Sequence, residues 1–177
     1  MNIVEKAYYF AMAAHAAVGQ KRKYTGEDYI VHPIEVCDLL QYAKFSNDEM
    51  RAAALLHDVV EDTQVTLDLI RKEFGKCVET LVEGLTDISK TEDGNRAVRK
   101  EIDRQHTAKQ SAACKTIKLA DLISNSRSIL KYDKDFAKVY LKEKELLLEV
   151  LQEGDETLWT WAFDTVRDGL EELGCDN

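Results

Sequence analysis

His57 and Asp58 stand side by side, and Glu61 and Asp62 follow at i+4, in the stretch Leu55-Leu56-His57-Asp58-Val59-Val60-Glu61-Asp62-Thr63. On a helix, residues four apart share a face, so His57 lies beneath Glu61 and Asp58 beneath Asp62. By the same period, Leu55, Leu56, Val59 and Val60 fall on the opposite side. An apolar stripe would then face a core while four groups able to bind a metal or carry protons crowd one face. An ordinary amphipathic helix with a solvated acidic face gives the same pattern. Such a face normally mixes in Lys and Arg, and this patch has none. Taken alone, the patch divides evenly between a solvated face and a metal-dependent hydrolase.

Two further segments tip that balance. In Lys115-Thr116-Ile117-Lys118-Leu119-Ala120-Asp121-Leu122-Ile123-Ser124-Asn125, the apolar neighbours of Asp121 place it in a buried helix position. A buried carboxylate needs a partner or takes up a proton, and a metal cation is one candidate. The alternative is a structural ion pair with a Lys or Arg of another helix. Asn125, one turn on, faces the same way and can orient a ligand or water. The second segment runs from Gly19-Gln20 through Lys21-Arg22-Lys23-Tyr24-Thr25-Gly26-Glu27-Asp28-Tyr29 to Ile30-Val31-His32-Pro33. Three consecutive basic residues in a loop suit phosphate groups, and an arginine there can stack on a nucleobase. A solvated basic loop is the alternative, set against a loop that ends in His32 just before a helix-opening proline. Together His32, His57, Asp58 and Asp121 supply two imidazoles and two carboxylates. Mixed N/O donors suit manganese, iron or zinc better than a soft ion such as copper(I). Four such ligands on an ion that prefers six leave room for water and a substrate oxygen.

The elements that must position these residues read as helix throughout. One proline and eight glycines leave long uninterrupted segments, and almost no stretch alternates with period two. Helices are expected over about residues 2–18, stopping at Gly19, and from Pro33 to about Ala43. Ser46 and Glu49 form a capping box for the helix that carries the His-Asp motif. Shorter helices follow over about 66–74, ending at Gly75, and 76–84; longer ones cover about 95–109, 111–130, 134–152 and 155–173. No linker or repeat divides them, so one all-α domain over residues 1–177 is expected.

Twenty-four basic and 33 acidic residues give a net charge of −9, which argues against nucleic acid or anionic membrane as partners. An anionic substrate would need a local basic patch. No apolar run can span a bilayer, and Glu5 and Lys6 interrupt the start where a signal peptide is apolar, so a cytoplasmic protein is expected. The cysteines show no C-x-x-C spacing, which excludes a zinc ribbon; Cys37, Cys77 and Cys114 read as small core residues and Cys175 as an exposed thiol. His15 is expected to pack or hydrogen-bond near the basic loop, and His106 to be exposed. Arg96, Arg99, Lys100 and Arg104 read as a solvated face interleaved with Glu101 and Asp103, with a phosphate surface as the alternative. Trp159 and Trp161 read as packing, with a homodimer contact as the alternative.

A distant His, an adjacent His-Asp pair and a distant Asp form the pattern of the HD-domain metal-dependent phosphohydrolases, and the chain resembles that superfamily. Gly19-Gln20 to His32-Pro33-Ile34-Glu35-Val36, Ala53 to Thr63, Gly84-Leu85-Thr86, and Lys118-Leu119-Ala120-Asp121 with Asn125 occur in the order found in RelA/SpoT-type hydrolase domains, specifically the stand-alone small alarmone hydrolases. The likeness covers roughly residues 5–160. It implies a compact multi-helix HD fold and manganese-dependent removal of the 3′-pyrophosphate from (p)ppGpp-like nucleotides. The implied metal ligands are His32, His57, Asp58 and Asp121, and the implied water-activating pair is Glu61 and Asp62. Arg22 and Lys23 correspond to nucleotide-contacting bases, and Asn125 to a position near ribose and phosphate. Lys118 and Arg127 also lie near family motifs. Longer relatives add a synthetase and regulatory domains for which 177 residues leave no room, so alarmone synthesis is not expected. One departure is visible: the family's loop commonly reads Gly-Glu-Pro-Tyr, and Asp28 replaces that proline, which should loosen the loop and add negative charge. Two other functions fit the same residues: a nucleotidase or nucleotide-cofactor phosphatase releasing orthophosphate, and an alarmone-binding sensor without turnover.

Overall fold

Nine α-helices make up most of the computed structural model, which describes residues 1–175, and an isolated bridge between Lys21 and Asp28 supplies its β-type pairing. The all-α expectation holds, and local chemistry explains most boundaries. Helix α1 (Ile3–Ala17) begins with a capping box in which Asn2 accepts from the Glu5 N–H at 2.8 Å and the Glu5 carboxylate accepts from Asn2. Gly19, at φ +67°, follows its end. Helix α2 (Val31–Leu39) starts two residues before Pro33, which occupies the first turn, where its missing N–H has no intrahelical partner to lose.

Helix α3 (Asp48–Leu56) is capped by Asn47, whose side chain accepts from Met50 N–H at 2.9 Å, and not by the expected Ser46. After the short α4 (Val59–Asp62) comes α5 (Leu67–Leu85), which Gly75 interrupts at φ 86° and ψ 172°. The two helices read on either side of Gly75 are thus real segments joined through one non-helical residue. The remaining helices are α6 (Arg96–Ala108), α7 (Ala112–Tyr132), α8 (Lys134–Val150) and α9 (Glu156–Glu172), capped in turn by Asn95, Ser111, Asp133 and Asp155.

Two compact units are formed, one from Met1–Gln41 and Phe45–Asp87, the other from Tyr42–Lys44 and Ile88 onward. In the first, α3 packs against α1, α2 and α5. It can do so closely because its buried face includes Ala52, Ala53 and Ala54 beside Leu55 and Leu56, while α1 buries Ala7 and Ala11. In the second, α7 buries Ile117, Leu119, Leu122 and Ile123 and packs against α8 and α9. Each such side chain contributes about 1.5–3 kcal/mol when fully buried. Gly169 permits the close approach of α9, since a Cβ there would lie 2.8 Å from Leu141 Cδ1 and 2.9 Å from Leu130 Cδ1.

The tryptophans also work inside this unit. Trp159 Nε1 donates to Leu148 O at 3.1 Å, and the Trp161 ring lies 5.0 Å from that of Tyr42. Cys37 and Cys114 are buried as expected, whereas Cys77 is exposed on α5 and is no core residue. Burial pushes the Cys114 thiol up to about 11. No helix among the described residues is long and apolar enough to cross a membrane.

Candidate metal centre

His57 and Asp58 occupy the joint between α3 and α4, not the middle of one helix as the motif's period suggested. His57 Nδ1 lies 2.8 Å from Ala54 O, so the imidazole donates to the carbonyl that an unbroken helix would offer to the Asp58 N–H. That bond puts the proton on Nδ1 and leaves the lone pair on Nε2, the tautomer a metal ligand needs. The ring is only 3% exposed. Its Nε2 sits 3.0 Å from Asp58 Oδ2. Helical bonding resumes with Asp62 N–H to Asp58 O at 3.0 Å, which keeps Asp58 and Asp62 on one turn.

His32 arrives from the first turn of α2, where His32 N–H bonds Tyr29 O at 3.0 Å. It is 1% exposed, and its Nε2 lies 3.7 Å from the same Asp58 Oδ2. The two imidazole rings meet at 5.2 Å between centroids, 69° apart. Ligand atoms of His32, His57 and Asp58 all fall within 4.8 Å of one another. Bonds of about 2.1 Å place adjacent ligand atoms of a single ion roughly 3–3.5 Å apart; the His57–Asp58 separation of 3.0 Å lies in that range and the His32–Asp58 one of 3.7 Å just above it, and the mixed N/O donors suit a divalent cation. Tyr29 holds the carboxylate from the other side, donating its hydroxyl to Asp58 Oδ2 at 2.6 Å. No sequence motif marks Tyr29 for this part. Its type carries no signal, because only the fold of the loop brings the phenol to a residue 29 positions on.

The acids one turn later are separated from the histidines by burial: His57 is interior, whereas Glu61 and Asp62 are exposed. Glu61 Oε1 accepts from the Asp87 N–H, and Asp62 Oδ2 accepts from Gln20 Nε2 at 2.8 Å. His57 and Glu61, which the helical period puts on one face, thus differ in exposure.

The basic loop is tied, not loosened. Arg22 N–H bonds Glu27 O and Gly26 N–H bonds Arg22 O, both at 2.9 Å, and Lys21 pairs with Asp28 across the bridge at 2.5 Å. Asp28 thus consumes Lys21, although an exposed pair of this kind contributes no more than about 1 kcal/mol. Arg22 remains, its guanidinium 5.9 Å from the Tyr29 ring centre, and Lys23 sits over Tyr24 at 4.8 Å.

Asp121 lies on α7 in the second unit and is 9% exposed, as its apolar neighbours required. Its Oδ1 accepts from Asn125 Nδ2 at 2.7 Å, and its Oδ2 lies 3.9 Å from Lys118 Nζ. Lys118 stands one turn before Asp121 on the same helix. Arg127, two residues past Asn125, is exposed. The α6 bases meet acids: Arg96 binds Glu143 through two bonds of 2.6 and 2.8 Å, and Arg104 reaches Glu101 and Glu149. Asp103 is buried, contrary to a solvated face, and accepts from Ile88 N–H, Ser89 N–H and Ser89 Oγ. His106 is half-buried beside Gln110.

An all-helical chain with buried His32 and His57 against the Asp58 carboxylate defines an HD domain, and the chain belongs to the HD-domain family, whose model matches residues 7–145. Among curated proteins it is similar to the guanosine-3′,5′-bis(diphosphate) 3′-pyrophosphohydrolase of Aquifex aeolicus, 44% identical over 88 residues, 49% of this chain and 12% of that one. It is also similar to the bifunctional (p)ppGpp synthase/hydrolase SpoT of Escherichia coli, 33% identical over 176 residues, 98% of this chain and 24% of that one. The chain thus spans about an eighth to a quarter of the length of these relatives. A solved structure described as a metazoan ortholog of SpoT that hydrolyzes ppGpp superposes with a TM-score of 0.82 at 26% identity, covering 99% of this chain and 98% of that one. A Listeria monocytogenes protein superposes with a TM-score of 0.64 at 26% identity, covering 82% of this chain and 99% of that one.

Proposed function

We propose that this HD domain removes the 3′-pyrophosphate from (p)ppGpp-like alarmones, with a divalent cation held by His32, His57, Asp58 and Asp121. The observation that carries the chemistry is the convergence of two buried imidazole Nε2 atoms on Asp58 Oδ2, one turn before two exposed acids. The substrate class rests on the ppGpp hydrolysis stated for the superposed metazoan protein and on the alignment with SpoT over 98% of the chain. Asp121 is assigned as the fourth ligand on its burial and on the motif it matches. Manganese is the proposed ion on the resemblance to manganese-dependent hydrolases; the mixed nitrogen and carboxylate donors suit it as they suit iron or zinc.

A divalent cation, when bound, acidifies water and polarises a phosphoryl oxygen. Glu61 or Asp62 takes the nucleophile's proton, since both carboxylates are open to solvent and oriented by a donor, from Asp87 and Gln20 respectively. Arg22 and Lys23 offset the diphosphate charge, and Arg22, already close to the Tyr29 ring, suits stacking on a base. Lys118 and Asn125 contribute nucleotide contacts from α7, and Asn125 also orients Asp121. The cytoplasm is the proposed place of action. A homodimer belongs to the same proposal. The half-exposed Leu146 on α8 and Phe163 on α9 support it, and light scattering at assay concentration measures it.

The test is a manganese-supplemented assay against ppGpp, pppGpp, their adenosine analogues and NADPH, with pyrophosphate and orthophosphate read separately. The expected outcome is stoichiometric pyrophosphate from a guanosine alarmone, abolished by a chelator. Orthophosphate as the sole product would reassign the enzyme as a phosphatase, and tight binding without turnover would reassign it as a sensor.

A further inference from the structure

His15 is buried to 1% exposure in the same unit as His32, His57 and Asp58 and belongs to neither the ligands nor the acids. Its ring lies 4.6 Å from that of Tyr29, the residue whose hydroxyl grips Asp58. Nδ1 sits 2.7 Å from Gln20 Oε1, while Nε2 is buried with no hydrogen-bond partner among the described residues. The other end of the Gln20 side chain donates from Nε2 to Asp62 Oδ2 at 2.8 Å. The two ends of a carboxamide have nearly one shape and opposite chemistry. Asp62, as a carboxylate, only accepts, so it requires the NH2 end. The carbonyl end must then face His15, which requires a proton on Nδ1. The buried, unpartnered Nε2 is what a neutral Nδ1–H ring leaves behind. Burial lowers the His15 pKa, which keeps that ring neutral.

We propose that His15 and Gln20 are positioning residues: His15 Nδ1–H locks the Gln20 carboxamide in the orientation that donates to Asp62, and so holds the Asp62 carboxylate for its role towards the nucleophilic water. The proposal rests on the function assigned above. Reversed, the carboxamide would set its carbonyl against the carboxylate, two acceptors with no proton between them. His15 acts on Asp62 through Gln20, and the chain of bonds has one consistent direction.

The experiment measures kcat and KM for ppGpp with manganese, together with metal content and thermal midpoint, in Gln20→Met, His15→Phe and the double variant. Gln20→Met is expected to lower kcat about tenfold, a part of the roughly 10²–10⁴-fold that a whole acid–base group supplies, with KM and metal content essentially unchanged. His15→Phe should give a similar loss, and the double variant should be no worse than Gln20→Met alone, because the two act in series. His15→Asn, which returns an N–H near the Nδ1 position, should recover part of kcat; this also covers the case in which Phe does not fit the site. Two-dimensional 15N NMR of the metal-free protein gives a readout independent of turnover: the His15 ring should be the Nδ1–H tautomer in the wild type and lose that preference in Gln20→Met. Additive kcat losses, or an Nε2–H tautomer in the wild type, overturn the proposal. So does full kcat in Gln20→Met while Asp62→Asn is inactive, an outcome that leaves the hydrolase reading standing. Full turnover in Asp62→Asn overturns the role of Asp62 itself and this proposal with it.

Discussion

At the scale of single residues, burial divides the labour of the motif. His57 and Asp58 sit where a charge would be costly without a cation or hydrogen-bond partners, whereas Glu61 and Asp62 sit where protons exchange with solvent. Asp121→Asn is therefore expected to lower metal affinity, while Glu61→Gln keeps the metal and loses about 10²–10⁴-fold in turnover. Metal analysis of the purified variants beside the kinetics checks both. Retention of full activity in Glu61→Gln would remove it as the base. Tyr29→Phe deletes the 2.6 Å bond to Asp58 without emptying the space. Loss of such a supporting bond typically weakens metal binding about 10–100-fold, which calorimetric titration with manganese measures directly; unchanged affinity would make Tyr29 a packing residue only. The convergence of His32, His57 and Asp58 was legible because residue type and order sufficed to mark them. Tyr29 and Gln20 were not, since tyrosine and glutamine are common loop residues, and their reach to Asp58 and Asp62 exists only after the loop has folded.

At the scale of elements, Gly, Pro and cap residues marked most helix ends, because those ends are set by local backbone chemistry. Gly75 shows this best. At φ 86° and ψ 172° it lies in a region that side chains disfavour, so Gly75→Ala is expected to destabilise the fold by about 1–3 kcal/mol even though a Cβ there meets open space. A thermal melt should register this as a fall of roughly 2–12 °C; an unchanged midpoint would mean that α5 straightens at no cost. The break between α3 and α4 carried no such mark. His57 and Asp58 keep right-handed helical dihedrals, at φ −59°, ψ −34° and φ −95°, ψ −8°. The interruption comes instead from the His57 side chain taking the Ala54 carbonyl, a competition that periodicity does not register. Cys77 was misread for a related reason: its type favours burial on average, but its place on α5 faces outward.

At the scale of the whole molecule, charge is legible in full while its distribution is not. The division near Asp87 leaves no mark either, since Thr86-Asp87-Ile88-Ser89 contains no Pro or Gly and no shift in composition. The net charge of −9 opposes the proposed polyanionic nucleotide, which the basic loop would have to attract locally. That counterweight is smaller than three consecutive bases suggest. Glu27 and Asp28 leave residues 21–28 with one net positive charge, and Lys21 is already paired with Asp28. Which field wins depends on its range. At about 0.01 M salt the screening length is roughly 30 Å and the substrate feels the whole acidic surface; at about 0.1 M it is roughly 10 Å and the loop dominates. With manganese saturating, kcat/KM is therefore expected to rise about two- to fivefold between those ionic strengths, the reverse of ordinary electrostatic steering. Lys23→Glu should steepen the rise, because it turns the loop's net charge negative. Assays at matched osmolality across a salt series give the sign at once, and a kcat/KM that falls with salt would show that the local field of the loop outweighs the acidic body at every distance.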